Sequence, residues 1–227
     1  NQTENTQPAI FLVSYSIYEV IKKETSFNLN NAKFFAGHSL GEYSALACSG
    51  SLSFSQTIKL LQSRGRYMQS AVPKGQGGML AVLGSEIDKI NKLISDNEEK
   101  FKCYVANDNS IGQVVVSGNI NELNKFSEEL KIHKIKNIKL PVSAPFHCEL
   151  MNSASEKMRE EINKTEFKKP EINIISNVDG VINVQVIGTS AELDQLIESV
   201  NLNEPIEIVR SGVLGISSNK NILSIHN

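Results

Sequence analysis

The chain has 227 residues, 40% of them hydrophobic and 21% charged, and a net charge of −2 at neutral pH. A balance this close to neutral disfavours a nucleic-acid-binding surface, and no apolar stretch is long enough to cross a membrane. The three cysteines show neither C-x-x-C spacing nor ligand spacing with a histidine. We therefore expect a reducing compartment, no disulfide framework, no metal site and no cofactor.

The first predicted helix runs from Pro8 to about Lys23, with proline in its first turn and one apolar stripe. The stripe consists of Ile10, Val13, Ile17 and Val20. A short apolar strand, Phe34–Ala36, follows, and a second helix begins near Glu42. This alternation of strands and helices indicates an α/β fold built on a parallel sheet.

The segment Gly37-His38-Ser39-Leu40-Gly41 joins that strand to the second helix and has the pattern of a nucleophile elbow. A serine on so sharp a turn needs small flanking residues, and the two glycines supply them. The turn also leaves N–H groups at the start of the helix, where an oxyanion forms after Ser39 attacks a carbonyl. The pattern favours acyl transfer to water or to another acceptor. A tight turn without catalysis is the alternative.

A third helix is predicted from the capping-box pattern between Ser53 and Gln56. Its apolar residues recur at helical spacing and define one buried stripe: Ile58, Leu60, Leu61, Met68 and Val72. Arg64 falls inside this stripe, whereas Arg66 points elsewhere. Because burying an unpaired guanidinium is costly, Arg64 needs an anionic partner. That partner is either a substrate carboxylate, held by two parallel hydrogen bonds, or a distant Asp or Glu.

Between Gly77 and Leu140 the periodicity changes to strand, helix, strand, strand, helix, strand, with a turn predicted at 107–109. This βαββαβ order predicts an inserted ferredoxin-like subdomain over 77–140, with 1–76 and 141–227 forming the larger α/β body. A basic run lies near the end of the insertion: Lys131, Lys134, Lys136 and Lys139. The run either faces an acidic partner or is ordinary solvated surface.

His147 lies in an extended, proline-flanked segment just before a helix that is predicted to start near Cys148. A lone histidine is most often structural or solvent-exposed, but among the four histidines His147 is the best candidate for a general base. The other three histidines are poorer candidates: His38, His133 and His226.

Ser39, Arg64 and His147, with the sequences around them, resemble the malonyl-CoA:acyl carrier protein transacylase family of type II fatty acid synthesis. The resemblance covers nearly the whole chain. Its most specific segments are residues 6–9, 37–43, 64–69, 77–79, 112–118, 141–143 and 177–179.

The resemblance implies transfer of a malonyl group from malonyl-CoA to the phosphopantetheine thiol of acyl carrier protein. It implies Ser39 as the nucleophile, His147 as its base and Arg64 as the clamp for the malonyl carboxylate. The Leu40 amide is implied as an oxyanion-hole donor.

Two further residues belong to the implied site. The backbone carbonyl that orients the histidine aligns with Asn201, and the bulk of Phe146 is implied to separate malonyl from methylmalonyl substrates. The family's amino-terminal strand, with a Gly-Gln-Gly segment, would precede Asn1, so we expect a truncated chain.

Asn, Lys and Ile are frequent, which suits an AT-rich genome such as that of an apicomplexan parasite. We therefore expect the apicomplexan plastid type and a location in the plastid (apicoplast) stroma, or otherwise in the cytoplasm. The first six residues do not form a signal peptide, and we expect no targeting segment within this sequence.

Two alternatives remain at the level of sequence. A serine esterase or lipase of the α/β-hydrolase class uses the same elbow but requires an acidic residue and then a histidine near the chain end, for which His226 is the candidate. That class gives no role to Arg64 or to the ferredoxin-like insertion. The second alternative is an inactive fragment that binds carrier protein or coenzyme A.

Overall fold

The computed structural model describes residues 3–142, 144–178, 181–185, 207–210 and 214–217. Within these ranges the helices are α1 (Thr3–Glu24), α2 (Gly41–Cys48), α3 (Phe54–Ser70), α4 (Ile87–Ser95), α5 (Ile120–Ile132) and α6 (Asn152–Asn163). The strands are β1 (Phe34–Ala36), β2 (Gly77–Leu83), β3 (Cys103–Ser110), β4 (Gln113–Asn119), β5 (Lys136–Lys139), β6 (Asn173–Val178), β7 (Val181–Gln185), β8 (Glu207–Arg210) and β9 (Leu214–Ser217). Short 3-10 helices occupy Leu29–Asn31 and Glu149–Met151.

The chain divides into two compact units. One, called here the elbow unit, comprises Gln7–Leu61 and Thr165–Asn227, and the other, the histidine unit, comprises Asn1–Thr6 and Gln62–Lys164.

In the elbow unit, β1, β6 and β7 form one sheet in that order. β1 runs parallel to β6, with Phe35 opposite Ile174, and β7 returns antiparallel to β6. Phe11, Ala47 and Leu61 form a buried cluster that unites α1, α2 and α3. The fold is therefore mixed α/β, with the predicted parallel strand pairing at the sheet that carries the elbow.

In the histidine unit, the four strands of a second sheet are ordered β3-β4-β2-β5, and every neighbouring pair is antiparallel. Alternate residues of β2 and β4 bury their side chains in one hydrophobic cluster with α4 and α5. The fully buried members of this cluster include Leu80, Val82, Val114, Val116, Ile90, Phe126 and Leu130.

Helix α1 differs from its prediction in two respects. It begins at Thr3 rather than at Pro8, which therefore lies inside the helix. The predicted apolar stripe is also exposed, with Val13 59% and Ile17 54% accessible, whereas Phe11 is fully buried. Phe11 packs against the rings of Tyr15 and Phe54, at centroid distances of 5.6 and 5.3 Å, so aromatic packing rather than the aliphatic stripe defines the buried face.

The turn predicted at 107–109 was also wrong. Asn107 and Asp108 pair with Val115 and Val114 inside β3, where two register shifts accommodate them. The hairpin turns instead at 111–112, and Gly112 supplies a positive φ of 78°.

Candidate active site

Ser39 lies on the predicted sharp turn between β1 and α2. Its φ is +55°, in the left-handed region that residues with a side chain rarely adopt. The turn is closed by hydrogen bonds from the amides of Gly41 and Glu42 to the carbonyls of His38 and Ser39, at 2.9 and 3.2 Å. Ser39 is half-buried. The sequence therefore folds locally as an elbow, with the serine at its apex.

The two glycines of the elbow contribute unequally. A Cβ at Gly37 would overlap the backbone carbonyl of Gly41, so only glycine fits there. A Cβ at Gly41 would meet no described atom within 4 Å. The expectation that both flanks must be small therefore holds sterically for Gly37 alone.

Leu40 follows the serine as the residue that caps α2, and its backbone is already helical, with φ −61° and ψ −22°. The next three amides are engaged in the tight turn, and the Tyr43 amide bonds the Leu40 carbonyl at 3.1 Å. Within the described part of the chain, the Leu40 amide donates no hydrogen bond of its own. It is thus the amide directly beside Ser39 that can serve an oxyanion.

Arg64 lies in α3, whose start has the predicted capping box. The Ser53 amide donates to Gln56 Oε1 at 2.9 Å, and the Gln56 amide donates to Ser53 Oγ at 3.2 Å. Arg64 is half-buried and one turn before buried Met68, whereas Arg66 is exposed. The two arginines therefore differ in environment as their spacing predicted.

His147 has a backbone as unusual as that of Ser39, with φ +56°. Its neighbour Phe146 is half-buried and packs with Met68, Met151 and Ala154, where α3 meets the start of α6. His147 as a whole residue is exposed. Met68 therefore connects the turn of α3 that carries Arg64 to the segment that carries His147.

The segment before His147 is fixed by contacts with the second sheet. A Cβ at Gly77 of β2 would overlap the ring of Pro145, and buried Ser117 of β4 donates a hydrogen bond to the Phe146 carbonyl at 2.6 Å. Sequence reasoning missed Ser117. The available signal was a small polar residue directly after the apolar run Val114–Val116, inside the same predicted strand.

The three cysteines are poor candidates for a nucleophile. Burial raises the pKa of the Cys48 thiol to about 11 and that of Cys103 to about 12, and it also raises the pKa of Cys148. All three are free thiols, and Cys148 Sγ donates to the Pro145 carbonyl at 3.1 Å. A thiol that stays protonated at neutral pH is a poor nucleophile.

The other histidines and Asn201 were the remaining candidate site residues. His133 is exposed at the end of α5, with Nε2 3.4 Å from Glu129 Oε1, and His38 is exposed beside the elbow. Asn201 and His226 lie outside the described residues. The structure thus groups Ser39 with Leu40 in the elbow unit, and Arg64 with His147 in the histidine unit.

A cavity of about 420 Å³ lies beside the elbow and is lined by residues of α1, β1, the elbow itself and α2, including His38, Leu40 and Ser44. Over the described ranges, no group of three or more His, Cys, Asp or Glu side chains is arranged to hold a metal ion. None of the helices described above is long and apolar enough to cross a membrane.

Comparison with known proteins identifies the family. The acyl transferase domain model matches residues 1–212. The malonyl CoA-acyl carrier protein transacylase of Haemophilus influenzae is 37% identical over 219 residues, which cover 94% of this chain and 69% of the relative. The Salmonella typhimurium protein of the same name is 37% identical over 180 residues, 79% of this chain.

Solved structures support the same family assignment. The crystal structure of the malonyl CoA-acyl carrier protein transacylase from Clostridium perfringens superposes with a TM-score of 0.74 at 40% identity, over 80% of this chain. The chain spans 56% of that structure and 57% of the Salmonella typhimurium relative. This chain therefore belongs to the malonyl CoA-acyl carrier protein transacylase family of acyl transferase domains.

Proposed function

We propose that this chain transfers the malonyl group of malonyl-CoA to the phosphopantetheine thiol of acyl carrier protein, in fatty acid biosynthesis. The observation that carries the proposal is the left-handed Ser39 between β1 and α2, directly followed by the Leu40 amide. A serine presented in this way is suited to attack a carbonyl, and the amide is suited to receive the negative charge that develops. The name of the Haemophilus influenzae relative supplies the acyl group and both of its carriers.

The first half-reaction forms a malonyl-serine ester. His147 accepts the proton of the Ser39 hydroxyl as Oγ bonds to the thioester carbonyl carbon, whose oxygen becomes an oxyanion that the Leu40 amide stabilises. When the carbonyl re-forms, the C–S bond breaks. The sulfur of coenzyme A leaves with the proton from His147.

The second half-reaction reverses these roles. The thiol of the carrier protein gives its proton to His147 and attacks the ester carbonyl, again with the oxyanion at the Leu40 amide. The bond to Ser39 Oγ breaks, and Oγ recovers the proton. The sequence is ping-pong, because coenzyme A leaves before the carrier protein reacts.

Arg64 is proposed to bind the free carboxylate of the malonyl group. Its guanidinium can form two parallel charge-assisted hydrogen bonds to a carboxylate, and a partly buried position strengthens them relative to bulk water. This pairing would favour malonyl over acetyl groups, which carry no such charge.

Two further roles come from the family resemblance. Phe146 is proposed to limit the space at the α-carbon of the acyl group, and its fixed position against Met68 and Met151 supports a steric role. The carbonyl of Asn201 is proposed to orient the His147 ring.

The basic run is proposed as part of the surface that receives the acidic carrier protein. Lys134, Lys136 and Lys139 are exposed, and no acidic group lies within ion-pair distance of them among the described residues. Lys131 is paired with Glu128 at 2.7 Å and contributes less net charge. Complementary charge of this kind mainly accelerates association and weakens with added salt.

We also propose that residues 77–140 form a ferredoxin-like subdomain inserted into the α/β body of 1–76 and 141–227. The order β3-β4-β2-β5 with α4 and α5 on one face supports this topology.

A plastid (apicoplast) stroma location is proposed from composition alone. Localising the tagged full-length gene product by microscopy would test it.

The test compares two reactions of the purified chain: malonyl transfer from malonyl-CoA to carrier protein, and hydrolysis of a simple ester. Transfer that disappears in Ser39→Ala supports the proposal. Ester hydrolysis without transfer would instead indicate the esterase alternative, which the family assignment does not favour. Binding of either carrier with no turnover would indicate an inactive fragment.

A further inference from the structure

We propose that Ser117 is a positioning residue for His147, acting through the peptide bond between Phe146 and His147. The inference rests on the proposed function only in taking His147 as the base. Its structural content, that the Ser117 hydroxyl fixes the backbone of His147, stands on contacts within the histidine unit.

Ser117 occupies an unusual place for a serine. It lies in the middle of the sheet, where β4 pairs it with Met79 on β2 and with Tyr104 on β3, and it is fully buried. Such positions ordinarily hold β-branched apolar residues, as Val114 and Val116 do in the same strand. A buried hydroxyl destabilises the fold unless it finds a hydrogen-bond partner. A serine at this position therefore requires a hydrogen-bond acceptor nearby.

That partner is the carbonyl of Phe146. Val114 and Val116 face the helices α4 and α5, so strand alternation turns Ser117 toward the opposite side of the sheet. There its Oγ donates to the Phe146 carbonyl oxygen at 2.6 Å, a short hydrogen bond for a neutral pair. The bond connects residues that are 29 positions apart in sequence.

The hydrogen bond from Ser117 restrains the φ angle of His147, which is the unusual feature of that residue. The Phe146 carbonyl and the His147 amide share one planar peptide, and φ of His147, +56°, is measured from that plane. A left-handed residue with a side chain is strained by about 1–2 kcal/mol relative to a right-handed one. Rotation of the peptide would relieve this strain. The Ser117 hydroxyl opposes the rotation, because it would lose its acceptor.

Other contacts hold the same segment, but none of them binds the Phe146 carbonyl as the Ser117 hydroxyl does. Gly77 lies against the ring of Pro145, and Cys148 Sγ donates to the Pro145 carbonyl, so both contacts act on Pro145, before the peptide that leads into His147. Tyr104 donates to Glu149 at 2.9 Å, two residues after the histidine and at an exposed site. Ser117 alone of these holds the peptide that leads directly into His147.

The experiment compares Ser117→Ala with Ser117→Thr, which retains the hydroxyl, and with Ser127→Ala as a matched control. Ser127 is also buried in the histidine unit and donates its hydroxyl to Asn137 Oδ1 at 2.7 Å, away from His147. Three measurements are made on each variant. The first is the NMR titration of the His147 ring, whose signal is assigned by its loss in His147→Gln. The second is the kinetics of malonyl transfer, which give kcat and KM, and the third is the melting temperature.

We expect Ser117→Ala to change the His147 ring signal and to lower kcat about ten- to a hundredfold, the scale of a catalytic group misplaced by about an ångström. KM for malonyl-CoA should change little, and Ser117→Thr should recover the parent ring signal and rate. Ser127→Ala should match the parent in both.

Two results would overturn the proposal. One is an unchanged His147 signal with an unchanged kcat in Ser117→Ala. The other is a lower kcat that follows only a lower melting temperature, with the ring signal as in the parent. If instead the ring signal changes but the parent chain transfers no malonyl group, the positioning role stands and the proposed function fails.

Discussion

Ser39 and His147 share the left-handed backbone conformation, with φ of +55° and +56°. Lys134 is the one other described residue besides glycine with a positive φ, and it follows the end of α5, where this conformation is common. Ser39 occurs in a strand-to-helix turn closed by backbone hydrogen bonds, and His147 occurs in a loop where the Ser117 hydroxyl binds the preceding carbonyl. Strain thus concentrates on the two residues that the sequence had already indicated as nucleophile and base.

The elbow can be tested through its two glycines. Gly37→Ala should destabilise the fold by about 1–3 kcal/mol, the usual range for overpacking, because the new methyl group overlaps the Gly41 carbonyl. Gly41→Ala should remain within about 1 kcal/mol of the parent, since alanine favours the helix and meets open space. Urea unfolding measures both. Equal losses in the two variants would contradict the packing described for the elbow.

Malonyl-CoA supplied without carrier protein should leave a malonyl ester on Ser39. Ping-pong transfer requires an acyl-enzyme that waits for its second substrate. Intact mass and peptide mapping would detect the ester, and Ser39→Ala should show none. A modified Cys148 in place of Ser39 would show that the assigned nucleophile is wrong, contrary to the raised pKa of that thiol.

The local elements of the site were predictable because short-range rules determine them. Glycine at position 37 and the capping box of α3 need only neighbours within a few residues. The buried face of α1 was not, because periodicity reveals a stripe of aliphatic residues but not whether other elements cover it. The bond from Ser117 to Phe146 was also invisible in sequence, because only the folded sheet brings the two together.

The turn predicted at 107–109 was wrong for the same reason, because contacts between residues distant in sequence decide the structure there. Asn107 and Asp108 have strong turn preferences, but in the structure they pair with valines of β4 and the chain reverses at Gly112. Strand pairing across a sheet depends on partners distant in sequence, so it overrides local preference.

Alkaline pH should destabilise the chain through two buried thiols. The folded state raises the pKa of Cys48 to about 11 and of Cys103 to about 12, from an ordinary value of 9.0. The unfolded chain therefore releases these protons first. The contribution to the free energy of unfolding is complete below pH 9 and is lost as pH rises through 11 and 12.

Urea unfolding between pH 8 and pH 11 measures this loss, with the variant Cys48→Ser, Cys103→Ser as the control. Serine does not ionise in this range, so the variant's stability should fall less steeply with pH. Because tyrosines and lysines titrate in both proteins, the difference between the two slopes isolates the thiols. Parallel slopes would show that the thiols do not contribute.

Arg64→Ala should lose malonyl transfer selectively and let acetyl-CoA compete. Removing one partner of a buried charge pair weakens binding by about 2–4 kcal/mol, and the acetyl group has no carboxylate to lose. Competition between the two thioesters measures the ratio. Exposed Arg66, two residues further along the same helix, provides the matched control, and Arg66→Ala should be nearly silent. A malonyl-to-acetyl ratio unchanged in Arg64→Ala would end the carboxylate-clamp assignment.

Phe146→Ser should admit methylmalonyl-CoA. The half-buried ring is fixed against Met68 and Met151, and its backbone is held by Ser117, so the space it fills cannot open without substitution. Discrimination against one extra methyl group amounts to about 1–3 kcal/mol. The ring also belongs to a hydrophobic cluster, so the serine variant loses packing, and a thermal melt must accompany the competition assay. Phe146→Leu is the control, because leucine keeps most of the packing and fills less of the space at the α-carbon of the acyl group than phenylalanine does. Its selectivity for malonyl over methylmalonyl groups should lie between those of the parent and the serine variant. A destabilised serine variant with an unaltered malonyl-to-methylmalonyl ratio would assign Phe146 to the core alone.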